Sequence, residues 1–119
     1  MKEKNLYQIF KKKIKEADKD CFFYKIPDTM HLGGKKPFDS ILILRGVPFA
    51  IEFKMKGVKV TEYQKVQLKY FEKADGVSKV FTYGVDDFEP FINSLMQIAN
   101  MRILNDNDLF ASNINGREV

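Results

Sequence analysis

Tryptophan is absent, histidine and cysteine occur once each, and only four prolines interrupt the 119 residues. A single cysteine, Cys21, cannot close an internal disulfide and fits a reducing cytosol. With one histidine, His31, the histidine- and cysteine-rich ligand sets of zinc sites are ruled out, so a bound metal must be a hard cation held by oxygen. No apolar run approaches the ~20 residues of a membrane-spanning helix, and the basic N-terminus has no hydrophobic stretch behind it. The chain is therefore expected to be unexported and cytoplasmic, with one domain over residues 1–104 and a polar tail over 105–119. Apolar residues make up 45% of the chain, enough to build a core.

Charge is uneven along the chain. Residues 1–59 carry 14 Lys/Arg against 7 Asp/Glu, whereas residues 60–119 carry 6 against 9. A basic half suits a polyanionic partner, although lysines on a helix often do no more than solvate its outer face.

Residues 2–17 place Leu6, Ile9, Phe10, Ile14 and Ala17 at three-and-four spacing, which predicts a helix. Its lysines, Lys11, Lys12, Lys13 and Lys15, mostly face water. An aromatic strand is expected over 21–26, then a loop over 27–36 with two adjacent glycines and the basic pair Lys35 and Lys36. A second helix is predicted over 61–74, with Tyr63, Val66, Gln67, Tyr70, Phe71 and Ala74 inward. A strand over 77–84 and a helix over about 87–101 follow, the latter opened by acidic residues that suit its dipole. The order α-β-β-β-α-β-α predicts an α/β fold, a central mixed sheet flanked by helices. The crossover helix sets strand 78–84 parallel to strand 49–55.

The stretch Pro37–Gly57 organises the rest. Its apolar runs, Ile41–Leu44 and Phe49–Phe53, are joined at Arg45-Gly46-Val47-Pro48 and read as a buried hairpin. A tight loop at Gly46-Val47 would set Asp39 opposite Lys54 and Ile41 opposite Glu52. Opposed residues share a face and neighbours alternate, so Asp39, Glu52 and Lys54 converge on one side. Leu42, Leu44, Phe49, Ile51 and Phe53 take the other. Charged groups gathered on so apolar a hairpin are costly to bury unless they bind something. A plain ion pair between Asp39 and Lys54 is the alternative, and such pairs contribute little.

Pro37-Phe38-Asp39, twelve intervening residues and Glu52-Phe53-Lys54 resemble the signature of the PD-(D/E)XK nuclease superfamily. One inserted residue, Phe38, separates the proline from the aspartate. The basic connector after the hairpin, with Lys56 and Lys59, leads into Thr61-x-x-Gln64. That order is most similar to the small VRR-NUC and Holliday-junction-resolvase branches. A literal Pro27-Asp28 also occurs; Asp39 is preferred because it opens the strand paired with Glu52.

The resemblance implies a restriction-endonuclease-like core and a Mg²⁺- or Mn²⁺-dependent endodeoxyribonuclease. Asp39, Glu52 and the Phe53 carbonyl would hold the metal, and Lys54 would act on the attacking water and the transition-state charge. A first-helix glutamate, Glu3 or alternatively Glu16, would complete the site. Gln64 is either functional or a helix cap, and the two are compatible. Lys11, Lys12, Lys35, Lys36, Lys56 and Lys59 are the expected DNA contacts. The implied substrate is branched DNA such as a four-way junction, cut by a homodimer. A catalytically silent DNA-binding module and a nicking or restriction-type nuclease are the competing readings.

Overall fold

The structure, a computed structural model, describes the backbone of residues 3–27 and 36–116 and the side chains of residues 5–27 and 36–105. Asp28, His31 and Lys35 lie outside the described residues. The elements are α1 (Glu3–Ala17), β1 (Phe22–Lys25), β2 (Ser40–Leu44), β3 (Val47–Met55), α2 (Glu62–Lys73), β4 (Val77–Tyr83) and α3 (Phe88–Gly116). They form one four-stranded sheet in the order β1-β2-β3-β4. The first two pairings are antiparallel and β3–β4 is parallel, as the crossover helix requires.

The two faces of β3 carry different cores. Phe49, Ile51 and Phe53 join Leu42 and Leu44 against Leu6, Phe10 and Ile14 of α1 and Ile92, Leu95 and Ala99 of α3. Ala50, on the opposite face, joins Phe38 and Leu68 in a smaller cluster with Phe71 and Val80 under α2. Burial on both faces is what the near-continuous apolar run of β3 demands. Phe10 is central to the larger core: its ring lies 5.3 Å from that of Phe53 and 5.2 Å from that of Phe23.

Three features differ from the expectations. The hairpin turns at Arg45-Gly46, one residue earlier than expected, with positive φ at both positions (53° and 82°). Paired positive φ values are those of a two-residue turn whose twist matches the flanking strands. Arg45 is held there by Asp18 Oδ2 at 3.2 Å and by the Asn100 side chain. The register becomes Ser40↔Ile51 and Ile41↔Ala50, which carries Asp39 opposite Glu52 rather than Lys54. The shift is two residues, so every side chain keeps its face.

In α2, Leu68 is buried and Phe71 half-buried, whereas Tyr63, Val66 and Tyr70 are exposed. The helix seats on the 68/71 ridge, reaching Ala50 and Val80, and the expected 63/66/70 stripe faces outward. The third difference is the length of α3, which runs on to Gly116 instead of ending near residue 101. No glycine or proline intervenes between Pro90 and Gly116, so nothing in the backbone chemistry stops it earlier.

Truncating Phe10 removes a side chain of α1 that packs on the sheet and on Phe91 of α3. Phe10→Ala is expected to lower stability by about 3–5 kcal/mol in a denaturant melt.

Candidate active site

Asp39 precedes β2, and its carboxylate takes over where main-chain pairing stops. Asp39 Oδ2 accepts the Phe53 backbone N–H at 2.8 Å. The Asp39 carbonyl accepts from Ile26 N at 2.8 Å, which extends the β1–β2 ladder by one residue. The inserted Phe38 is buried, its ring 5.4 Å from that of Phe71 in an edge-to-face contact. It pins the segment before Asp39 to α2.

Glu52 is fully buried on β3, directly across from Asp39 and within hydrogen-bonding reach of it. Neither Glu52 oxygen has a donor among the described residues. Two ionised carboxylates are both acceptors, so this contact requires a proton or a cation between them. Burial is the main influence on Glu52, followed by Asp39, and together they push its pKa up to about 9 against the partial relief of the Lys54 and Lys36 charges. Burial opposes ionisation of Asp39 as well. It is outweighed by the Glu52 carboxyl, the Phe53 N–H and Lys36, and the Asp39 pKa falls below its ordinary value.

The paired oxygens fit a hard divalent cation. Two carboxylates with unsatisfied lone pairs are what Mg²⁺ uses when it keeps most of its water shell, and the Phe53 carbonyl belongs to the same strand. Among the described residues no group of three acidic, imidazole or thiol side chains that could hold a metal gathers. Lys54 is half-buried, two residues beyond Glu52 on the same face of β3, with its charge felt at Glu52.

The other expected residues spread around this pair. Gln64 closes a capping box: its Oε1 accepts Thr61 N–H at 3.0 Å while Gln64 N–H donates to Thr61 Oγ1 at 3.1 Å. Glu3 opens α1, with its side chain outside the described residues. Glu16 is exposed at the far end of that helix, about 20 Å along its axis and beside the hairpin turn, where Asp18 meets Arg45. Lys11, Lys12, Lys56 and Lys59 are exposed. Lys36 instead lies against Asp39, its Nζ 3.0 Å from Oδ1. Two contacts at the site escaped the sequence reading. The approach of Lys36 to Asp39 needed the bend through Pro37, and the Phe53 amide needed the correct register.

The metal-free site has a pH signature. In the folded protein Glu52 keeps its proton up to about 9, whereas the unfolded chain releases it near 4.5. The folded state thus holds more protons between those values, and its stability is full below the lower one and falls as pH rises toward the upper. Asp39, shifted downward, titrates below this window. In chelator, the wild-type melting temperature is expected to drop by several degrees from pH 5 to pH 8, and Glu52→Gln to flatten most of that slope. Thermal melts at matched ionic strength check it.

A solved structure of a VRR_NUC domain superposes on the chain with a TM-score of 0.51 and 21% identity, over 76% of this chain and 92% of that one. No family model matches the chain, and no curated protein matches its sequence. At that identity the likeness is one of fold: the chain shares the α/β architecture of that VRR_NUC domain.

Proposed function

We propose that this VRR-NUC fold serves a metal-dependent endonuclease that hydrolyses phosphodiester bonds in DNA. The observation that carries the reading is the buried Asp39–Glu52 pair, in which both Glu52 oxygens lack a donor. A group placed at such cost is retained where a cation uses it.

In this mechanism Asp39, Glu52 and the Phe53 carbonyl hold Mg²⁺ or Mn²⁺. When bound, the metal supplies Lewis-acid polarisation of a phosphoryl oxygen and a lowered pKa for bound water. Lys54, on the same face as Glu52, orients the attacking water through Nζ and opposes the charge that builds on the phosphorane-like transition state. The N-terminus of α2 lies just beyond the connector that follows β3, and the Thr61–Gln64 box fixes its entry. Exposed Lys56 and Lys59 on that connector, and Lys11 and Lys12 on α1, carry the sequence-independent attraction to the DNA backbone.

Branched DNA and a homodimer are the finer form of the proposal. Selectivity for such a substrate would come from its shape, its backbone charge and the subunit geometry. Of the two helices that could join subunits, α3 packs Ile92, Leu95 and Ala99 into the core. Helix α2 leaves Tyr63, Val66 and Tyr70 at 38%, 42% and 58% exposure, and this stripe is the better dimer surface.

Two experiments follow. A panel of synthetic four-way junctions, flaps, duplexes and single strands with Mg²⁺ or Mn²⁺ is expected to show paired cuts in junctions, and sedimentation at micromolar concentration to show a dimer. A monomer that cuts duplex and junction equally would leave a simple nicking nuclease, and no cleavage of any substrate would remove the enzyme reading. Lys54→Ala is expected to slow cleavage by several orders of magnitude while DNA affinity stays within a few-fold, since one phosphate contact among many changes binding modestly. Equal losses in both would make Lys54 a phosphate clamp.

A further inference from the structure

Lys36 lies against Asp39 of the carboxylate pair rather than on the basic surface around it. Its Nζ lies 3.0 Å from Asp39 Oδ1 and donates to the Ile26 carbonyl at 3.4 Å, and its side chain is 16% exposed. Pro37 and the buried Phe38 separate it from Asp39, one residue with a fixed φ and the other anchored on Phe71. The ammonium is therefore held by the fold at the mouth of the site.

The two oxygens of Asp39 have different duties. Oδ2 is engaged by the Phe53 N–H, beyond the last residue of β3 that pairs with β2. Oδ1 is the oxygen Lys36 holds. A cation held by Asp39 and Glu52 would need the same carboxylate, whose Oδ1 is the oxygen not tied to the backbone. An ammonium is a single positive charge with three donors, and from its place at Oδ1 it leaves both Glu52 oxygens unserved.

We propose that Lys36 is an internal competitor for the divalent cation, occupying Asp39 Oδ1 in the metal-free protein and yielding that oxygen when metal binds. The inference rests on the reading of Asp39 and Glu52 as the metal site. Its consequence is that Lys36, a positioning residue, sets the metal concentration at which the site fills. It keeps Asp39 satisfied and correctly aimed until then.

The test measures binding rather than cleavage. Mn²⁺ affinity is read by calorimetry and by electron paramagnetic resonance for the wild type, for Lys36→Met, which keeps the aliphatic stem without the charge, and for Asp39→Asn as the reference for a lost ligand. Lys36→Met is expected to bind Mn²⁺ about tenfold more tightly, and Asp39→Asn much more weakly than the wild type. In a lysine side-chain ¹⁵N spectrum of the wild type, the Lys36 ammonium is expected to be protected from exchange without metal and to lose that protection as Mg²⁺ saturates the site. Metal binding with Lys36→Met equal to or weaker than the wild type overturns this inference and leaves the metal site standing. Absence of Mn²⁺ binding in both proteins overturns the metal site and this inference together. If Lys36→Met does not fold, the wild-type Mg²⁺ titration decides: an ammonium signal unmoved at saturation overturns the proposal.

Discussion

Two carboxyl groups side by side in a fully buried place are the constraint around which the rest of this structure is arranged. Neither can ionise freely beside the other, because the low dielectric that surrounds them magnifies their repulsion and removes the water that would relieve it. The fold supplies half of the remedy. A backbone amide and an ammonium serve Asp39, and nothing among the described residues serves Glu52. That imbalance makes the pair a receptor for positive charge. A symmetrical arrangement, with donors for both groups, would be a closed and inert network.

The sheet explains why the pair is held so firmly. Glu52 lies on β3, an interior strand with an antiparallel neighbour on one side and a parallel one on the other. Its neighbours along the strand, Ile51 and Phe53, are locked into the larger core, so the glutamate cannot turn outward without dragging two buried residues with it. Asp39 stands where β2 begins, and Phe38 roots it to α2. The hairpin turn at the opposite end is tied to Asp18, the residue that follows α1, and to Asn100 of α3. Both ends of the hairpin are thus fastened, each to a different layer of the molecule.

Much of this was legible in the residues, and the misses have physical reasons. The hairpin was readable from its apolar runs, and the shared face of Asp39, Glu52 and Lys54 survived a misplaced turn because the error in register was even. The turn itself was misplaced because Val47-Pro48 resembles loop and belongs to β3, while Arg45, without glycine's freedom, adopts a positive φ. The inward face of α2 was misjudged for another reason. Tyrosine and valine at helical spacing look like core, yet packing on a twisted sheet selected the ridge of Leu68 and Phe71. Helix α3 outruns its expected end because the polar residues after 104 look like a tail, whereas asparagine and aspartate only weakly disfavour a helix already under way. The approach of Lys36 to Asp39 depends on a bend through Pro37 that periodicity does not encode.

The hydrogen bond from the Phe53 amide to Asp39 gives the molecule a built-in probe. That proton lies two residues past Ile51, the last β3 residue paired with β2, and it points into the charged centre. An amide that donates to a carboxylate feels how much negative charge the acceptor carries, and its resonance position and exchange rate follow any redistribution of that charge. The Phe53 N–H is thus a native electrometer, wired into the backbone one residue from Glu52, and it needs no label to be read.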